Sequence, residues 1–89
     1  MSDSYELGYD PDAEEELKQL PKEIAKRLRD KAVRIAENAE VLTHKGMTGN
    51  WSGHYKERVG DYRLIYQMDK EAQRITIIKV GHRRDVYDD

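Results

Sequence analysis

The spacing of apolar residues changes once along this chain, and that change limits the folds available to it. Between residues 11 and 39 apolar side chains recur every three or four positions, as in helices with one buried face. Between residues 54 and 80 they follow the shorter repeat of strands. The 89 residues allow one domain, residues 1–89, with a small core. Helices followed by strands in one domain predict an α+β fold.

The first half of the chain predicts a short strand and a two-helix hairpin. Residues 5–9 alternate in the manner of a strand. Asp10 is then suited to cap a helix N-terminus, and Pro11 to occupy its first turn. Pro21 separates this helix from a second one, which is predicted to run from about Lys22 to Asn38. Their apolar stripes predict that both helices cover one face of a sheet.

The second half predicts a three-stranded antiparallel meander. Residues 40–53 are rich in glycine and predict a loop. Strands are then expected at 54–59, 62–68 and 74–80. Gly60 and Asp61 form a two-residue connection typical of a tight hairpin, and residues 69–73 close a second hairpin. Residues 81–89 are too few for another packed helix.

Composition excludes several classes of protein. The chain has no cysteine, which rules out disulfide scaffolds, thiolate zinc sites and cysteine nucleophiles. It has no apolar run long enough for a membrane span, and its N-terminus lacks the features of a signal peptide, so a soluble cytoplasmic protein without membrane contact is predicted. A net charge of −2 argues against nonspecific binding of nucleic acid. Residues 24–63 nevertheless carry nine bases against five acids, which leaves room for a local basic surface.

The predicted hairpin concentrates positive charge on one face. With Gly60-Asp61 as the loop, Arg58 lies opposite Arg63, and Lys56 shares their face. Like charges placed opposite each other cost about 0.2–1 kcal/mol, and an anionic ligand would offset this repulsion. A solvated basic face would account for the arrangement equally well, as would pairing with acids elsewhere, such as Asp85, Asp88 or Asp89. The opposite face of the hairpin is apolar and is predicted to pack on the helices.

Four aromatic or imidazole side chains lie outside this face. His82 suits general acid or base catalysis near neutral pH, and Tyr87 suits proton donation or stacking. A lone histidine is more often a surface or hydrogen-bonded residue, and simple packing is the alternative for Tyr87. We predict no functional role for His44, because it has no partner at a spacing typical of metal ligands. Trp51 is predicted to anchor its loop over the edge of the core rather than to stack on a base.

Two segments of the chain resemble a known family. They are the run YKERVGDYRLIY at residues 55–66 and the end VGHR at residues 80–83, followed by Val86 and Tyr87. They are similar to the RelE/ParE superfamily of toxins from type II toxin–antitoxin systems. The leading strand, the segment LKQLP and the chain length also match, so the resemblance covers nearly the whole chain. It is closer to the RelE branch and implies the RelE-like ribonuclease fold.

The RelE resemblance implies a particular reaction and particular partners. RelE toxins cut mRNA in the ribosomal decoding site, by attack of a ribose 2′-hydroxyl on the adjacent phosphate, with no metal or other cofactor. Ribosome and mRNA are therefore the implied partners, together with a RelB-type antitoxin whose acidic C-terminal segment would complement the basic face.

The same resemblance assigns roles to six positions. Arg63 and Arg83 would stabilise charge on the phosphate, while Lys56 and Arg58 hold the RNA backbone. His82 and Tyr87 are the implied acid–base groups, with Lys56 as a further candidate. Two other interpretations stay open. A ParE-type toxin would inhibit DNA gyrase without cutting nucleic acid, and a degenerate member would only bind a partner.

Overall fold

Two helices pack on one face of a five-stranded sheet in the computed structural model, which describes residues 4–47, 52–84 and 86. The sheet order is β1-β5-β4-β3-β2, with β1 parallel to β5 and every other pair antiparallel. The predicted α+β fold is confirmed. The elements are β1 (Glu6–Tyr9), α1 (Pro11–Lys18), α2 (Lys22–Glu37), β2 (Lys45–Gly46), β3 (Tyr55–Val59), β4 (Tyr62–Asp69) and β5 (Arg74–His82).

The helices begin where the sequence predicts. The Asp10 carboxylate accepts the backbone N–H of Asp12 at 3.0 Å, and Pro11 opens the first turn of α1. Helix α2 ends at Glu37, one residue before the predicted end. Asn38 caps this end, and both its backbone N–H and its side-chain amide donate to the carbonyl of Arg34, at 3.1 and 2.9 Å. In the part of the chain that the structure describes, neither helix is long and apolar enough to cross a membrane.

The structure differs from the predicted elements by more than one residue in two places. The segment 40–53, predicted as loop, contains β2, in which Lys45 lies opposite Lys56. A two-residue strand is too short to show a period, so only its pairing with β3 identifies it. Strand β5 extends two residues past the predicted end, to His82, because it continues to pair with β4 as far as Tyr62.

The main core lies between the sheet and the helices. It joins Leu17 of α1 and Leu28 and Ile35 of α2 to sheet residues that include Leu64 and Tyr66 of β4. All five side chains are almost fully buried. The apolar face of the hairpin therefore packs on the helices as predicted, and both helices that the structure describes lie on this one face of the sheet.

Glu16 closes an open edge of the sheet. Strand β1 pairs with β5 only as far as Ile77, so within the described residues the outer edge of β5 beyond that point has no neighbouring strand. From α1, the Glu16 carboxylate accepts the backbone N–H of Val80 at 2.9 Å and the ammonium of Lys79 at 2.7 Å. A single side chain thus takes the place of a missing strand at this edge.

We expect Glu16→Ala to lower the free energy of unfolding by about 1–3 kcal/mol, because a part-buried backbone N–H loses its acceptor. Glu16→Gln keeps an oxygen that can accept the backbone N–H of Val80, so its free energy of unfolding should fall by clearly less. Urea unfolding of both variants, with the exposed Glu15→Ala as control, measures the difference. Equal stability of wild type and Glu16→Ala would contradict this role.

Candidate nucleic-acid interface

The strand register brings the predicted basic side chains together. Arg58 lies opposite Arg63, as the two-residue turn predicts, and Lys56 lies opposite Ile65 on the same face. Arg58 is exposed, whereas only 8% of Arg63 is exposed. The sequence also allowed these side chains to form a basic face exposed to solvent, but Arg63 is not exposed in this way.

Lys45 adds a fourth cation that sequence reasoning missed. It lies opposite Lys56 in the β2–β3 ladder and therefore shares its face. With Lys56, Arg58 and Arg63 it lines a depression of about 260 Å³, which we call the cationic face. The sequence did not predict this role for Lys45, because the residue lies in a segment predicted as a loop and only the pairing of β2 with β3 aligns it with Lys56.

The cationic face suits a phosphate group. Glu57 also borders the depression, but its carboxylate accepts the backbone N–H of Arg58 at 3.2 Å. The guanidinium of Arg63 is shielded from solvent at Nη1, where electrostatic interactions are stronger than in water. Arginine offers several donors in a plane that match phosphate oxygens. The sequence offered Asp85, Asp88 and Asp89 as acidic partners for the arginines of this face, and all three lie outside the described residues.

The end of β5 brings one further predicted residue to this face and turns another away. Arg83 is exposed, and its backbone N–H donates to the Asp61 carbonyl at 2.8 Å. Arg83 follows Gly81, the partner of Arg63, by two positions, so the alternation of β5 continued past its end would place Arg83 on the side of Arg63. His82 lies opposite Tyr62, and its ring meets that of Tyr62 edge-on at 5.3 Å. Since Tyr62 and Arg63 are consecutive, the register directs His82 to the other face. Tyr87 lies outside the described residues.

His44 links the end of α2 to the sheet, a structural role that the sequence did not reveal. Its Nε2–H donates to the Ala39 carbonyl at 2.8 Å, and Nδ1 lies 2.6 Å from the Tyr66 hydroxyl. Burial, and to a lesser degree the charge of Glu57, raises the pKa of Tyr66. The hydroxyl therefore stays protonated and donates a hydrogen bond to Nδ1 of His44. Trp51 lies outside the described residues. Among the residues that are described, no three His, Asp or Glu side chains form a group able to hold a metal ion.

Two consecutive helices on one face of a mainly antiparallel sheet are an arrangement that this chain shares with solved structures of RelE toxins. The family model described as "ParE toxin of type II toxin-antitoxin system, parDE" matches residues 7–87. The chain belongs to this family, within the RelE/ParE superfamily of toxins.

Relatives in sequence and in structure agree with this assignment. The chain is 28% identical over 83 residues to Toxin RelG of Mycobacterium tuberculosis, covering 93% of this chain and 95% of RelG. Its fold is similar to a chain of the RelBE2 toxin–antitoxin complex of the same organism, with a TM-score of 0.81, 26% identity, and 92% and 94% of the two chains covered. The isolated E. coli RelE toxin gives a TM-score of 0.74 at 27% identity, with 89% and 84% covered.

Proposed function

We propose that this toxin is an endoribonuclease that cuts mRNA held in the ribosomal decoding site and thereby inhibits translation. The observation that carries the proposal is the buried guanidinium of Arg63 in a depression lined by Lys45, Lys56 and Arg58. Two of the similar proteins, RelG and E. coli RelE, are named as Rel toxins, and this supports the RelE branch.

In the proposed reaction a ribose 2′-oxygen attacks the adjacent phosphorus. A bond forms between that oxygen and phosphorus, and the bond to the 5′-oxygen of the next nucleotide breaks. The products are a cyclic phosphate and a free 5′-hydroxyl. Negative charge grows on the phosphate oxygens during this step, and Arg63 and Arg83 stabilise it. Lys45, Lys56 and Arg58 hold the flanking backbone.

Two proton transfers accompany this displacement, one from the 2′-hydroxyl and one to the departing 5′-oxygen. The candidates are Lys56, His82 and Tyr87. Lys56 lines the depression itself, whereas the ring of His82 packs on Tyr62. We therefore propose Lys56 as the proton-transfer group nearest the phosphate, with Tyr87 as its partner and His82 contributing from the end of β5.

The proposed partners are the ribosome, its mRNA and a RelB-type antitoxin, all met in the cytoplasm. The RelBE2 toxin, which has a similar fold, forms a toxin–antitoxin complex, and this supports the antitoxin. Four cations against the one carboxylate of Glu57 give the cationic face a net charge of +3, which would attract an acidic antitoxin segment as well as RNA.

Primer extension on a defined mRNA in programmed ribosomes tests the proposal. Purified toxin should cut within the decoding-site codon, and the same mRNA without ribosomes should stay intact. Prior addition of the cognate antitoxin should prevent the cut. An uncut message on ribosomes would refute the nuclease.

Inhibition of DNA gyrase is the second candidate function, because the family model that matches is the ParE model. It predicts loss of supercoiling by purified gyrase with no cleavage of RNA. A supercoiling assay with the same toxin preparation separates the two candidates. It also predicts that His82 and Tyr87 are dispensable, so alanine variants at both positions should inhibit gyrase as wild type does.

A further inference from the structure

A small apolar cluster lies on the face of the sheet opposite the two helices. It consists of Met47, Ile65 and Val86, whose exposed fractions are 6%, 0% and 2%. Ile65 follows Arg63 by two positions on β4 and therefore points to the same side of the sheet. Without a cover an isoleucine on this face would be open to water, so Met47 and Val86 supply the burial that helices supply on the other face.

Val86 belongs to the chain segment that carries Arg83. This segment is tied to the sheet by backbone hydrogen bonds at each end: Arg83 N–H donates to the Asp61 carbonyl at 2.8 Å, and Val86 N–H donates to the His82 carbonyl at 3.1 Å. Between them, Arg84 N–H donates to Nδ1 of His82 at 3.2 Å. We call the described residues His82, Arg83, Arg84 and Val86 the turn after β5. Val86 is the one apolar side chain among these four residues.

Arg83, unlike Val86, is not held in the turn by a buried side chain. Arg83 is exposed, and the described contact that locates it is made by its backbone. A flexible exposed arginine placed only by one backbone hydrogen bond would sample many positions, whereas charge stabilisation requires donors fixed near the reacting phosphate. Burial of Val86 against Ile65 fixes the other end of the same turn.

We propose that Val86 is a positioning residue: its side chain, held between Met47 and Ile65, keeps the turn closed and so holds Arg83 beside the cationic face. The effect on catalysis rests on the proposed nuclease function, but the effect on the turn does not. Val86 itself touches no substrate.

Three valine variants test this role. Val86→Ala removes the contact with Ile65, Val86→Ile keeps a branched apolar side chain there, and Val33→Ala shortens an exposed valine of α2 as a matched control. Under saturating toxin, Val86→Ala should lower the rate of mRNA cleavage on ribosomes by about 10-fold or more, with KM unchanged, since loss of positioning acts on the chemical step. Val86→Ile and Val33→Ala should cut at close to the wild-type rate.

Amide hydrogen exchange separates this proposal from the nuclease proposal. In Val86→Ala the backbone amides of Arg83 and Val86 should exchange about 10-fold faster or more, while that of Ile77 in β5 keeps its protection. Unchanged exchange at Arg83 would overturn the positioning role whether or not the toxin cuts RNA. Faster exchange in a toxin that never cuts RNA would support the anchor and refute only the nuclease. Slow cleavage in Val86→Ile as well as Val86→Ala would also overturn the role.

Discussion

Arg63→Ala is expected to lower the rate of mRNA cleavage on ribosomes by about 10²-fold or more, the loss typical of removing one charge-stabilising donor. The reason is the position of Arg63, which lines the depression and is only 8% exposed. A guanidinium held there is already oriented before the phosphate gains charge. Single-turnover primer extension with saturating toxin measures the rate of the chemical step directly.

Two further arginine substitutions sharpen this experiment. Arg63→Lys keeps the charge but loses the planar set of donors, so its rate should fall between those of Arg63→Ala and wild type. Arg34→Ala removes the same charge from the exposed surface of α2 and should cut as wild type does. Circular dichroism should first establish that each variant is folded. A near-wild-type rate for folded Arg63→Ala would remove Arg63 from the proposed site while leaving the nuclease function standing.

His44→Ala is expected to produce the largest loss of stability. The substitution leaves the Tyr66 hydroxyl and the Ala39 carbonyl without their partner, and it removes edge contacts with the rings of Tyr55 and Tyr66 at 5.6 and 5.7 Å. Unsatisfied buried groups and lost ring contacts together cost about 2–4 kcal/mol. For a domain of this size that corresponds to a fall of roughly 10–30 °C in melting temperature.

A second histidine provides the control for this measurement. His54 lies on the opposite face of the sheet, where its Nε2 accepts from the side-chain amide of Gln67 at 3.2 Å near the surface. His54→Ala should change stability by no more than about 0.5 kcal/mol. Thermal unfolding of both variants at neutral pH makes the comparison. A loss below about 1 kcal/mol in His44→Ala would mean that α2 and the sheet are held together without this histidine.

Local patterns were sufficient to predict much of this fold. The N-cap at Asp10 and the start of α2 depend on neighbouring residues alone, and both are found where expected. The turn at Gly60-Asp61 has two residues, which permits one register, so the pairing of Arg58 with Arg63 was also predictable. The resemblance to RelE toxins led to the family that the comparisons then established.

Features that depend on residues far apart in the chain were not predictable in this way. The placement of Lys45 beside Lys56 requires β2 to pair with β3, and two residues show no period. The direction of His82 follows from the full length of the β4–β5 ladder, which runs past the end predicted for β5. Because this register places the His82 ring on the other face, beside Tyr62, its part in proton transfer stays a prediction.

The sequence by itself determined the order of the elements, the face of the hairpin that carries its arginines and the superfamily. These follow from spacing, turn chemistry and motif, which act over a few residues. Only the tertiary structure decided that Arg63 is buried while Arg58 is exposed, and that Ile65 is covered by Met47 and Val86. Burial of a side chain depends on which distant segments of the chain pack over its face of the sheet. On the face opposite the helices, these segments are Met47, directly after β2, and Val86, in the turn after β5.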